Sequence, residues 1–421
     1  MNLLLLNTSD SGGGAAIATY RLHRGLRSIG LSSRMLVLQK GTDDPTVIPP
    51  VPLKSRLKFR IANFYAERDD KVSRDSLAGG KNLFSPARCP DRVEHRIGTL
   101  NPDIIHLFWI NHGFLKVESL GQFNRPIVWT LHDMWPFTGG CHYDDECGGF
   151  LQSCGKCPVL NSSSEQDLSR SVWLRKQRSW NAVPIVVVAT SHWLAEMARS
   201  SSLFKDQRIE VIPNGIDTAK YKPLDKRAAR DAFALPQDKH LVLFSAFGAT
   251  TDKRKGNHLL TPALRKLAQA GWGENTELVI LGTSASETPP ELGLKTHYMG
   301  NFRDEISQVL LYSAVDVTVA PSMQENLSNT VVESLSCGTP VVAFHIGGMP
   351  DLIDHEQSGY LAKPFEVDDL TNGIMWVLED NVRHQAISNN ARNSAVKKYS
   401  IKTVANQYHA LYQDILARTP N

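Results

Sequence analysis

The chain lacks any apolar run approaching the roughly 18 residues that a membrane-crossing helix needs. Its opening, Met1–Asn7, is apolar but short. It has no basic leader and no cleavage signal behind it, so it reads as a first strand rather than a signal peptide. Net charge is scarce too: 46 basic against 43 acidic side chains leave +3. So even a balance argues against a dedicated nucleic-acid binder. Cysteines number six in 421 residues, too few for a disulfide scaffold. No Asp-x-Asp pair offers a metal grip, and no short internal repeat or low-complexity tract is visible. What the chain does have is 42% hydrophobic and 21% charged residues, which excludes a mostly disordered protein. At roughly 150 residues per domain, its length predicts two or three domains, and the expected compartment is the cytosol.

Short apolar runs closed by turn residues recur along the chain. In the first half they are Leu3–Asn7, Arg34–Gln39, Asp103–Trp109, Ile127–His132 and Ile185–Ser191. In the second they are Leu241–Gly248, Glu277–Gly282, Thr296–Gly300, Val317–Ser322, Pro340–Phe344 and Gly359–Ala362. Amphipathic stretches such as Ala15–Ile29, Thr261–Ala270 and Ile306–Ala314 lie between them. Strands alternating with helices predict parallel sheets covered on both faces. Two such series need two cores, with a break at the Pro213 and Gly215 turn. The expected fold is therefore α/β, with two Rossmann-like doubly wound domains facing a cleft. Residues 1–212 form the first, 213–399 the second, and 400–421 a closing helix striped by Val404, Tyr408, Leu411, Tyr412 and Ile415.

Strand one runs into Gly12, Gly13 and Gly14 and then a helix. Glycines allow close backbone approach, and a helix start suits phosphate. A dinucleotide site would need a third glycine where Ile17 stands, and a carboxylate at the end of strand two, so NAD is disfavoured. A tight turn with no ligand explains these glycines equally well.

The stretch from Ala320 to Leu335 carries Glu325 in a polar loop and Glu333 inside a helix, among Val331, Val332 and Leu335. Eight helical residues would set two carboxylates about 12 Å apart, the scale of a nucleotide-sugar. Carboxylates accept paired hydrogen bonds from vicinal hydroxyls. A solvated loop Glu and a Glu at a helix edge are the plainer reading.

Glu-x7-Glu within Pro321-Ser322…Glu325-Asn326…Val332-Glu333-Ser334-Leu335…Gly338-Thr339-Pro340-Val341-Val342-Ala343 resembles the retaining glycosyltransferases of family 4, which have the GT-B fold. The resemblance extends over nearly the whole chain: Gly12–Gly14, His132-Asp133, Ile212–Asp217, Lys255-Gly256, Gly347-Gly348 and the terminal helix. It implies that the closing helix crosses back to the first domain. It implies that Glu333 binds the donor ribose and Glu325 the donor sugar, with amides of Asn326 and Leu327 near the diphosphate. Lys255 would bind the diphosphate, His132 would reach the sugar from the first domain, and Gly12–Gly14 would line the cleft. Two departures stand out. Thr250 occupies the place of a usual arginine, a charge that Arg254 would supply, and Asp351 stands where Glu is common.

The leaving group gathers charge as the glycosidic bond breaks, so Lys255 and Arg254 would stabilise the transition state with no catalytic metal. The resemblance implies a UDP- or GDP-sugar donor carrying a hexose-type unit, and a glycan or lipid-linked acceptor. A nucleotide-sugar epimerase and a catalytically silent nucleotide-sugar-binding subunit are the alternatives.

Four cysteines fall within seventeen residues: Cys141, Cys147, Cys154 and Cys157. This pattern predicts a structural zinc site, with His142 as a substitute ligand, ahead of plain reduced thiols. An iron–sulfur cluster is the remaining alternative. The segment resembles an insertion in a subset of these transferases involved in bacterial surface polysaccharides. Further back, Lys54, Arg56, Lys58 and Arg60 accompany Leu57, Ile61, Phe64 and Tyr65 on a helical stripe. An anionic membrane, at the inner face of the plasma membrane, is the candidate partner, although a solvated face is the commoner fate.

Overall fold

The computed structural model describes residues 1–49, 71, 83–89, 91, 93–245, 252–283, 292–302 and 304–418. The basic stripe near residue 60 and the segment containing Thr250 lie outside them. The chain divides into two compact units, Met1–Pro213 with Val404–Asn421, and Asn214–Thr403.

Among the described residues the first unit holds a parallel sheet of seven strands. They are β1 (Asn2–Ser9), β2 (Ser32–Gln39), β3 (Val47–Ile48), β4 (Ile104–Leu107), β5 (Ile127–Leu131), β6 (Ile185–Ala189) and β7 (Arg208–Val211), in the order β3-β2-β1-β4-β5-β6-β7. The leucine run of β1 is buried on both faces, as alternation dictates. Leu4 and Leu6 pack in one layer with Ile105, Leu107 and Trp129. Leu3 and Leu5 pack in the other with Leu22 and Leu26. The stripe of the last helix, Ile401–Arg418, completes that second layer through Val404, Tyr408, Leu411, Tyr412 and Ile415. It is pinned by polar groups as well. His106 Nδ1 meets the Tyr412 hydroxyl at 2.7 Å, His106 Nε2 meets Thr130 Oγ1 at 2.7 Å, and Thr130 Oγ1 meets the Tyr408 hydroxyl at 2.8 Å.

The second unit repeats the plan. Among the described residues it has β8 (His240–Ser245), β9 (Thr276–Leu281), β10 (Lys295–Tyr298), β11 (Val317–Ala320), β12 (Val341–Phe344) and β13 (Gly359–Ala362). They lie parallel in the order β10-β9-β8-β11-β12-β13. Leu241 and Leu243 face one core layer, Val242 and Phe244 the other. Both sheets are doubly wound, as the strand–helix alternation predicts. The strand order reverses between β1 and β4 in the first and between β8 and β11 in the second. At such a reversal the connecting helices leave on opposite faces, and a crevice opens beyond the carboxyl ends of the strands.

Candidate active site

The second sheet's reversal point gathers the charged residues singled out above. β11 ends at Ala320, and the loop Pro321–Ser328 leads into helix Asn329–Ser336. Glu325 is in that loop and Glu333 in the helix, so only part of the span between them is helical. Lys255 closes a short turn, Lys253–Lys255, before helix Asn257–Leu267. Its Nζ donates to Glu325 Oε2 at 2.7 Å, and both side chains are largely buried. Arg254 is one residue away and pairs with Asp252 Oδ2 at 2.7 Å.

The Glu325 loop is held by backbone on two sides. The Met323 amide donates to the Arg254 carbonyl at 2.7 Å, and the Gly348 amide donates to the Glu325 carbonyl at 3.1 Å. These approaches require glycine. A Cβ on Gly256, where φ is 75°, would lie 1.8 Å from the Pro321 carbonyl oxygen. One on Gly347, where φ is 50°, would lie 2.1 Å from that of Glu325. Asn326 and Leu327 are buried in the same loop. Glu333 is buried as well, and its Oε2 accepts from the Tyr312 hydroxyl at 3.1 Å. Burial, and then the Glu333 carboxylate, push the Tyr312 hydroxyl well above its ordinary pKa, so it stays a donor. The structure thus joins Lys255 to Glu325 directly, sets Arg254, Asn326 and Leu327 beside them in sequence, and holds Glu333 through Tyr312.

In the first unit, Gly12 (φ 74°) and Gly13 (φ 86°) turn the chain from β1 into helix Gly14–Ser28, with open space where a Cβ of either would point. Asp10 anchors this turn by accepting the amides of Gly41 and Thr42 at 2.6 and 3.0 Å. His132 follows β5, is half-buried, and stacks on Phe108 at 6.0 Å. Burial lowers its pKa to about 4, against the pull of Asp133, so the ring is neutral at pH 7. The glycine turn and His132 share one edge of the sheet through a chain of contacts. The Thr8 amide donates to the Trp109 carbonyl at 2.8 Å, and Trp109 Nε1 donates to Asp133 Oδ2 at 2.9 Å.

Asp133 is itself held by the cysteine segment. His142 Nδ1 meets Asp133 Oδ2 at 2.6 Å, and His142 Nε2 meets Ser85 Oγ at 2.9 Å. Burial alone would raise the Asp133 carboxyl. The charge and hydrogen bond of His142 and donation from Trp135 and Trp109 outweigh it and hold the pKa below the usual range. With both ring nitrogens engaged, His142 is committed to Asp133 and Ser85. Cys141, Cys147, Cys154 and Cys157 are free thiols that line one small cavity. Among the described residues, no three His, Cys, Asp or Glu side chains are gathered as a metal ion would hold them.

Sequence reasoning missed Tyr312, Trp109 and the Ser85–His142–Asp133 chain. Trp109 alone carried a signal, as the residue closing an apolar run in a fold whose chemistry sits at strand ends.

Two doubly wound parallel-sheet units in one chain are the architecture of the GT-B fold class. The sucrose-phosphate synthase structure from Thermosynechococcus elongatus covers all of this chain and all of its own at a TM-score of 0.71 and 19% identity. Family matches make the class particular. Residues 12–220 match the Glycosyltransferase Family 4 model and residues 225–394 the Glycosyl transferases group 1 model, so the chain is a glycosyltransferase built from those two domains in tandem. The putative colanic acid biosynthesis glycosyl transferase WcaC of Escherichia coli (strain K12) is 26% identical over 82% of this chain and 83% of its own. The structure of HepE from Anabaena in complex with UDP-glucose covers 98% of this chain and 100% of its own, at a TM-score of 0.62 and 19% identity.

Proposed function

We propose that this glycosyltransferase moves a hexose-type sugar from a UDP- or GDP-sugar, with retention of configuration, to a glycan or lipid-linked acceptor in the synthesis of a cell-surface polysaccharide. The observation that carries the reading is the Lys255–Glu325 pair at the second sheet's reversal point, with Arg254 one residue away. Without a donor, each partner neutralises the other. A bound donor would exchange that contact for two of its own, its diphosphate meeting Lys255 and its sugar hydroxyls meeting Glu325. Charge then grows on the leaving phosphate, where Lys255, Arg254 and the amides of Asn326 and Leu327 stabilise it. These cations take the role a catalytic metal would otherwise fill. Glu333, fixed by Tyr312, would accept the ribose hydroxyls. His132, neutral, would hydrogen-bond rather than ion-pair with a sugar, and the glycine turn would serve phosphate or acceptor.

Two likenesses support the donor and the pathway. The Anabaena structure is a complex with UDP-glucose, and the E. coli relative is named for colanic acid biosynthesis. Among the described residues no helix is long and apolar enough to cross a membrane. A lipid-linked acceptor would instead bring the protein to the inner face of the plasma membrane as a peripheral partner. The test is incubation of the purified chain with UDP- and GDP-sugars and a panel of glycan and polyprenyl-linked acceptors, read by mass spectrometry and anomeric NMR. An α-linked product from an α-linked donor supports the proposal. Sugar interconversion without acceptor points to an epimerase, and tight nucleotide binding without turnover to a silent subunit.

A further inference from the structure

Beside the cysteine segment lies a buried lysine that, among the described residues, has no carboxylate in contact. Lys176, in helix Leu168–Trp180, is fully buried. Its Nζ donates to the Thr138 carbonyl at 3.0 Å and to the Trp135 carbonyl, and lies 3.7 Å from the centre of the Trp135 ring. Among the described residues it forms no ion pair. Carbonyl dipoles and a ring face soften the cost of burying an ammonium but do not cancel it. Burial draws the Lys176 pKa down to about 7, and Cys141, Cys154 and Asp133 are the acidic groups that pull it back up. Asp133 is already engaged by His142, Trp109 and Trp135. That leaves the thiols.

Cys141, Cys147, Cys154 and Cys157 line one cavity, and so does Thr138, whose carbonyl binds Lys176. Backbone amides are aimed at two of the sulfurs. Gly139 N–H points to Cys154 Sγ at 3.1 Å and Gly149 N–H to Cys147 Sγ at 3.5 Å. Gly139 also has no room for a side chain, since a Cβ there would lie 3.0 Å from the same Cys154 sulfur and 2.5 Å from the Ser169 carbonyl oxygen. As placed, the thiols share the cavity without converging on one point. Rotation of their side chains is the adjustment that a tetrahedral ion demands.

We propose that these four cysteines bind one zinc ion as thiolates, and that Lys176 is the built-in counter-ion of the complex. Four thiolates around a divalent ion leave about two negative charges in a buried site. An ammonium held on the carbonyl of Thr138, a residue lining the same cavity, would offset part of that excess, and the excess would in turn answer the lysine's own burial. The site would fix the segment between His132 and helix Leu168–Trp180, and through His142 the carboxylate of Asp133.

The test uses the full chain purified under reducing conditions. Elemental analysis is expected to find about one zinc per chain, and cobalt exchanged into the site to show thiolate-to-metal charge-transfer absorption. In competition with a chromogenic chelator, Lys176→Met should weaken zinc binding about tenfold, and Lys176→Arg much less. Protein that is metal-free as purified and takes up neither zinc nor cobalt overturns the site. Stoichiometric zinc with the same affinity in Lys176→Met overturns the counter-ion. If that variant does not fold, Lys176→Gln takes its place with the same expectation. Cys147→Ser, at the exposed thiol, should weaken the cobalt charge-transfer band; an unchanged band overturns four-thiolate ligation.

Discussion

Lys255 Nζ lies 2.7 Å from Glu325 Oε2, although the two residues are 70 positions apart in the chain. The contact joins the turn before one helix to the loop after β11, so each side chain is positioned by the other. In Lys255→Ala the Glu325 carboxylate loses its cation and the diphosphate loses a positive charge that matters most as the bond breaks. The expected result is a fall in kcat of about a hundredfold with a smaller change in KM. Steady-state kinetics over a donor series measures it, and a pure KM effect contradicts the assignment.

Glu333 calls for the opposite pattern. Ribose hydroxyls are gripped in ground and transition states alike, so Glu333→Ala should raise the donor KM and spare kcat. Tyr312→Phe removes the hydroxyl that holds Glu333 and should weaken nucleotide binding by about 1 kcal/mol, several-fold in Kd. Calorimetric titration with UDP and GDP is the measurement. Unaltered affinity in both variants would remove Glu333 from the donor site.

Gly347 and Gly256 test the loop itself. Gly347→Ala puts a carbon 2.1 Å from the Glu325 carbonyl oxygen and imposes a strained φ as well. We expect protein with an altered Glu325 loop, transfer reduced at least about tenfold, and a stability loss of about 1–3 kcal/mol. Activity alongside a denaturation midpoint separates the two effects. Native activity in a stably folded variant contradicts the tight approach.

Acid should destabilise the first unit before carboxylates titrate. His23 is buried against Ser33 and Thr46, and desolvation lowers its pKa to about 4. His106 is buried beneath the terminal helix and is lowered well below its ordinary value for the same reason. In the unfolded chain both rings take a proton below about pH 6.5. The unfolded state therefore binds more protons, and stability is lost as pH falls from about 6.5 towards 4. Urea midpoints across that range should decline, and His23→Gln should flatten the slope by about one proton.

The alternation of strands and helices was readable because each buried strand is a nearly continuous apolar run. β3 and β7 were not. β3 is two residues long, and β7 is an edge strand of Arg208, Ile209, Glu210 and Val211, half-exposed throughout, so neither has the apolar signature. The pairing of Lys255 with Glu325 was approached through motif order alone. Tyr312 beneath Glu333 and Ser85 behind His142 left no trace in spacing. Each meets its partner through tertiary packing, 21 and 57 positions away, and neither separation is a secondary-structure period.

The helix that closes the first sheet's core has a consequence for birth rather than for chemistry. Tyr408 and Tyr412 supply hydroxyls to Thr130 and His106, 278 and 306 positions upstream. A ribosome adding roughly 5–20 residues per second needs about ten to forty seconds to pass through Asn214–Thr403. For that interval Leu3, Leu5 and Leu26 lack their last cover, and His106 lacks a partner for one nitrogen. The second unit, contiguous in sequence, has all its strands before that helix is made. Synthesis order and folding order are thus inverted: the half translated first is finished last, and until then it is the half that chaperones must shield.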